Sequence, residues 1–137
     1  MAVGLVIVTH CDLGKEFLRA LKLIVPDARE FHAISFEEGD KLDEMRAKIL
    51  DGIRAADEDE GVLILTDMFG GSPSNIALSF HEERHVEVVT GMNLPMLVKL
   101  ANPKGKETLE ELAKSIKEYG QRNISVASQL LPEGSSE

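Results

Sequence analysis

"GVLILTDMFGGSPSN", residues 61–75, is the stretch whose reading decides the fold. Its first six residues are apolar up to Thr66 and include β-branched side chains. An apolar run of this length, without alternation, marks a strand buried on both faces. Asp67 ends the run, Gly70 and Gly71 make a turn, and "SP" follows. Ser72 reads as a helix N-cap and Pro73 as its N1 residue, where the missing N–H costs nothing. A buried strand passing through a glycine turn into a helix is the unit of an α/β protein.

The same alternation runs outward in both directions. Upstream, "VGLVIVT" (3–9) is a second such strand, followed by a helical segment at 12–25 with Leu13, Phe17, Leu21 and Ile24 as its stripe and Asp12 as its cap. Residues 29–35 read as a strand, and 40–56 as a helix with Asp40 as cap and Leu42, Met45, Ile49 and Ile53 as stripe. Downstream of the helix at 72–80 come a strand at 86–90 and helices at 93–101 and 108–120. Thr108 caps the last of these, and Gly120 ends it. "NISVASQLL" (123–131) reads as a final strand and 132–137 as a frayed tail. Strands alternating with helices specify a doubly wound α/β fold, with a mainly parallel sheet covered on both faces. In a chain of 137 residues this is one domain, over 1–131, with strand order 2-1-3-4.

Composition excludes several function classes. Fifteen Lys and Arg against 24 Asp and Glu leave a formal net charge of -9, which opposes nucleic acid and anionic membrane surfaces and fits a partner with a basic docking patch. Trp is absent and aromatics are 4%, too few for a base-stacking platform. No apolar run approaches the roughly 20 residues of a membrane span. The N-terminus lacks a basic n-region and a small-residue cleavage site, and the single cysteine, Cys11, forms no internal disulfide; both fit a cytoplasmic protein.

In the order 2-1-3-4 the first and third strands are neighbours and the winding reverses between them. Ligands sit outside the carboxyl ends of the strands at that switch point. The two loops meeting there are "THCDLG" and "TDMFGGSP", so His10 should face Asp67. A carboxylate that takes the N–H of one imidazole nitrogen leaves a lone pair on the other, which can attack phosphorus. The Gly70 and Gly71 amides, the helix start and the Ser72 hydroxyl supply donors for an anion whatever the net charge. Singly, Asp67 reads as a turn cap and "GGSP" as a helix start; together at the switch point they read as a phosphoryl site.

Three collinear motifs, "VIVTH", "GVLILTDMFGGSPSN" and "VTGMNLPML", resemble the enzyme IIA component of the mannose (fructose/mannose/sorbose) family of the bacterial sugar phosphotransferase system. The resemblance runs from about Val3 to about Tyr119. It implies a phosphotransferase component working through phosphohistidine, with no cofactor and no metal. His10 would accept a phosphoryl group from the histidine-containing phosphocarrier protein and pass it to a IIB component for sugar uptake. Asp67 would orient His10, and Thr9, Gly70, Gly71 and Ser72 would face the phosphate. It further implies a homodimer exchanging the C-terminal strand, no nucleic acid, and membrane contact only through IIC and IID partners. Many members have glycine where this chain has Cys11, and many continue into a IIB domain, which places this chain's acceptor on a separate polypeptide. The alternatives are a regulatory phosphotransfer module without transport and the phosphotransfer subunit of a dihydroxyacetone kinase; "DMFGGSPSN" favours the mannose type over the latter.

The remaining candidates read as structure. His32 alternates with apolar residues inside a strand. "HEERH" (81–85) spaces two histidines as metalloproteases do, but it lies past the apolar stripe of its helix and no third ligand is apparent. Cys11 and His10, adjacent near a strand end, should point apart and form no dyad.

Overall fold

The strand read at 61–66 is the third of four parallel strands in a computed structural model that describes residues 2–81, 83–102 and 106–131. The elements are β1 (Gly4–His10), α1 (Leu13–Ile24), β2 (His32–Phe36), α2 (Leu42–Ala56), β3 (Val62–Thr66), α3 (Ser72–Leu78), β4 (Val86–Thr90), α4 (Leu94–Ala101), α5 (Leu109–Arg122) and α6 (Ala127–Leu130). The sheet order is β2-β1-β3-β4. Register is tight at the centre: Val8 of β1 pairs with Thr66 of β3 and with Ile34 of β2, and Thr66 pairs with Thr90 of β4.

Because the central strands are buried on both faces, side-chain alternation builds two cores. Leu5 and Ile7 of β1 and Leu63 and Leu65 of β3 pack with α1, α4 and α5. Val6, Val8, Val62 and Ile64 pack on the opposite face with α2 and α3. The stripes of α1 and α2 fail at helix ends: Leu13 and Ile24, the first and last residues of α1, and Leu42, the first of α2, are exposed, while Leu21, Ile49 and Ile53 are buried as read.

Local signals also moved. Asp40 does not cap α2. Its carboxylate instead accepts the Glu37 N–H at 2.9 Å and the Lys48 ammonium at 3.0 Å, which hold its pKa below the ordinary carboxylate range, the backbone bond first. Asp12 likewise makes no side-chain cap on α1. Thr108 does cap α5, in a reciprocal capping box with Glu111. Gly120 does not end that helix: it lies inside α5 because a Cβ there would fall 2.5 Å from Met96 Sδ, so the glycine serves close packing.

The strand expected over 123–131 is not formed in the single chain. β4 and β2 are the sheet edges, and no strand among the described residues pairs with either outer side. The segment instead takes local backbone bonds, Gln129 N–H to Val126 C=O at 2.8 Å among them, and forms α6 with none of its residues buried. The tail expected at 132–137 lies outside the described residues.

One glycine fixes how β1 meets α2. A Cβ on Gly4 would sit 2.3 Å from the Ala56 carbonyl oxygen, backbone that cannot yield. Gly4→Ala should cost about 1–3 kcal/mol as an overpacked contact, read as a lower urea midpoint. An unchanged midpoint would contradict the close approach.

Candidate functional site

β1 feeds α1 toward β2, and β3 feeds α3 toward β4, so the loops after these neighbouring strands diverge and leave a crevice at their carboxyl ends. His10 ends β1, and Asp67 follows β3 directly. The crevice brings them together. His10 Nδ1 lies 2.9 Å from Asp67 Oδ2, and the His10 backbone N–H donates to the same oxygen at 3.0 Å. The other carboxylate oxygen accepts the Met68 N–H at 3.0 Å. An ionised carboxylate has no proton to give, so Nδ1 is the donor and Nε2 carries the lone pair. The Asp67 side chain is 9% exposed and that of His10 is 47%, so the support is enclosed while the ring is reachable.

The glycine turn forms the wall beside the ring. A Cβ on Gly71 would lie 2.7 Å from His10 Cε1 and 3.1 Å from Nε2. Only glycine lets the backbone approach the imidazole this closely. Gly70 has φ +91, in the left-handed region that favours glycine. Its N–H donates to Ser74 Oγ at 2.9 Å, and that hydroxyl donates to the Gly71 carbonyl at 3.0 Å.

Of the residues the sequence placed at the site, His10, Asp67 and Gly71 converge, Gly70 and Ser72 flank Gly71 in the chain, and Thr9 points away. Strand alternation turns Thr9 toward α1, where it is fully buried. Its hydroxyl accepts the Gly14 N–H at 2.9 Å and donates to the Cys11 carbonyl at 3.2 Å, fastening the turn into α1. Ser72 is not the N-cap expected of it. Gly71, extended at φ -86 and ψ 168, takes that position, so Ser72 is the first helical residue and is exposed. Ser74 was missed; its position three residues past the N-cap is the one signal that could have found it. Cys11 is exposed with φ 49, a conformation that strains any residue but glycine.

The surroundings are two-sided. Next to His10 on the β2 side, Asp12 accepts from Ser35 at 2.9 Å, and Glu37 and Glu38 follow Phe36, the partner of His10 in register. On the β3 side Met68 and Phe69 are exposed, Phe69 by 70%. His32, His81 and His85 lie elsewhere, their Nε2 atoms each 3.5 Å from a glutamate oxygen on Glu30, Glu87 and Glu110. Glu82, within "HEERH", lies outside the described residues, and among those described no three His, Cys, Asp or Glu groups gather as a metal site would require.

Comparison with known proteins agrees with this fold. The profile of a family described as the PTS system fructose IIA component matches residues 4–117. The chain is 26% identical over 130 residues to the PTS system fructose-specific EIIA component of Bacillus subtilis (strain 168), covering 94% of this chain and 89% of that one. It is 32% identical over 98 residues to the sorbose-specific EIIA component of Lacticaseibacillus casei, covering 71% and 70%. The mannose/sorbose specific IIA subunit from Enterococcus faecalis superposes with a TM-score of 0.86 at 27% identity, over 97% of this chain and 98% of that chain.

The contact between Gly71 and the ring is open to direct test. Gly71→Ala should leave the chain folded by circular dichroism but push the imidazole aside, seen as displaced His10 ring-carbon and ring-nitrogen resonances. Wild-type ring resonances in that variant would show that the backbone does not wall the imidazole.

Proposed function

The chain belongs to the fructose/mannose IIA family of the sugar phosphotransferase system, and we propose that it is a phosphocarrier in which His10 is the phosphoryl acceptor. Members of the family are phosphotransferase components; the finer reading rests on the His10 Nδ1 to Asp67 Oδ2 contact of 2.9 Å. That contact leaves Nε2 as the nucleophile. Nε2 attacks the phosphorus of a phosphohistidine on the histidine-containing phosphocarrier protein. The new N–P bond forms as the donor's N–P bond breaks, and the donor imidazole leaves with the electron pair. The same exchange, with His10 as leaving group, passes the phosphoryl group to a IIB component. No proton crosses to Asp67, which steadies the positive charge that develops on the ring.

The oxygens of the phosphoryl group would meet the backbone N–H of Gly71, the first N–H groups of α3 and the Ser72 hydroxyl. Gly70 and Thr9 contribute by shaping the turns, since the Gly70 N–H and the Thr9 hydroxyl already have partners. The acidic β2 side and the apolar Met68 and Phe69 suit a docking protein with an apolar centre and basic residues on one flank. No helix among the described residues is long and apolar enough to cross a membrane. We place the protein in the cytoplasm, reaching IIC and IID partners only through IIB.

Assembly completes the reading. A groove of about 590 Å³ runs between the outer edge of β4 and α5, lined by Val88, Val89, Thr90, Lys114, Lys117 and Ile124 among others. Ile124, Val126, Leu130 and Leu131 are exposed beyond it. A dimer in which each C-terminal segment unfolds α6 and pairs with the partner's β4 would cover both the apolar residues and the open edge.

Incubation with phosphorylated carrier protein should label His10 alone, through an acid-labile, alkali-stable bond. His10→Ala should abolish labelling, and Asp67→Ala should slow it by about 10–100-fold, the usual loss when a histidine's orienting partner is removed. Phosphate on His32, His81 or His85, or wild-type rates in Asp67→Ala, would contradict the assignment. For assembly, light scattering of the intact chain at micromolar concentration should report a dimer, and truncation after Asn123 should yield monomer or aggregate. An intact monomer, or a dimer that survives truncation, would rule out the exchange.

A further inference from the structure

We propose that Ser74 is a positioning residue for His10, tying down the glycine turn that stands against the imidazole. An N-cap position ordinarily holds Ser, Thr, Asp or Asn, whose side chain accepts an N–H of the first turn. In α3 that position is Gly71, and any Cβ there collides with the His10 ring at 2.7 Å. Closeness to the imidazole and a capping side chain are therefore incompatible at residue 71. With no capping side chain on α3, the structure holds the turn from three residues on. Ser74, 0% exposed, accepts the Gly70 N–H at 2.9 Å and donates to the Gly71 carbonyl at 3.0 Å.

A serine bonded to a carbonyl three residues back is common within helices. Reaching outside the helix to an N–H of the preceding loop is the role a glutamate or glutamine takes in a capping box. Here it has a consequence for the ring. The loop 67–71 touches His10 at both ends, through the Asp67 carboxylate and through the Gly71 backbone. Asp67 fixes one end. At the other, Gly70 at φ +91 has almost no conformational preference of its own, and α3 has only seven residues to hold it. Beside the Asn75 N–H that the Gly71 carbonyl accepts at 3.0 Å, the two Ser74 bonds hold Gly71 in place, and so set which rotation of the imidazole the wall permits. No other side-chain donor or acceptor among the described residues bonds the Gly70 or Gly71 backbone.

The inference rests on the phosphocarrier reading only where a transfer rate is measured; its first readout is the unphosphorylated chain. Nitrogen-15 resonances of the His10 ring should report a single tautomer in the wild type and shift toward the average of two tautomers in Ser74→Ala. Phosphoryl uptake in Ser74→Ala should fall about tenfold, the scale of one to two neutral hydrogen bonds. Ser74→Thr, which keeps the hydroxyl, should retain the wild-type ring resonances, and Ser74→Cys, with a weak thiol donor, should fall between. Ala77→Gly, buried in the same helix but bonded to nothing in the loop, should lower stability without moving the ring resonances. Wild-type resonances in Ser74→Ala, equal shifts in Ala77→Gly, or a threonine variant that behaves as the alanine one would each overturn the assignment. A wild-type chain that takes up no phosphate would instead defeat the phosphocarrier reading, and the ring resonances would still decide the role of Ser74.

Discussion

One carboxylate oxygen accepts both the ring N–H and the backbone N–H of His10, and the rest of the site depends on that double hold. The backbone bond fixes where the strand ends; the ring bond fixes which nitrogen is free. Neither bond is local in sequence. Asp67 reaches His10 because β1 and β3 are hydrogen-bonded neighbours whose connections leave in opposite directions. The sheet is thus the part of the structure that selects which ring nitrogen is left free, and the two buried cores behind it keep that selection rigid.

A second constraint follows from the first. With the ring pinned, the backbone of residue 71 has to stand against it without a side chain, and the turn is held from within the helix by a serine. The turn before α1 solves a related problem differently. There Thr9, facing away from the crevice, ties the Gly14 N–H, and Cys11 adopts a left-handed conformation at φ 49 that glycine would adopt without strain. The cysteine leaves the geometry of the turn intact, since its N–H still donates to the Phe36 carbonyl at 2.7 Å.

Much of this was legible in the sequence, for physical reasons that can be named. Unbroken apolar runs identified the central strands, and strand order with the switch point then paired His10 with Asp67. Thr9 was misread although alternation alone separates it from His10: successive strand residues face opposite sides. Ser72 was misread because "GGSP" fits a helix start in two frames, and only the imidazole against Gly71 decides between them. Ser74 was passed over, since its position three residues past the N-cap gains meaning only once Gly71 is known to be that cap. Gly120 looked like a helix stop because its use, room for Met96, is a tertiary fact. Residues 123–131 carry a strand pattern, but a strand forms only by pairing, and in the single chain this segment pairs with neither open edge of the sheet.

The site chemistry narrows to which ring nitrogen carries phosphorus. Phosphorylated protein labelled with nitrogen-15 in its histidine rings can be observed by phosphorus and nitrogen NMR, where the phosphorus–nitrogen coupling identifies the bonded atom. With Nδ1 held 2.9 Å from the Asp67 carboxylate, the phosphoryl group should be on Nε2 of His10 and Nδ1 should keep its proton. Phosphorus coupled to Nδ1 would mean that the Asp67 contact breaks before transfer, and the account built on it would not stand.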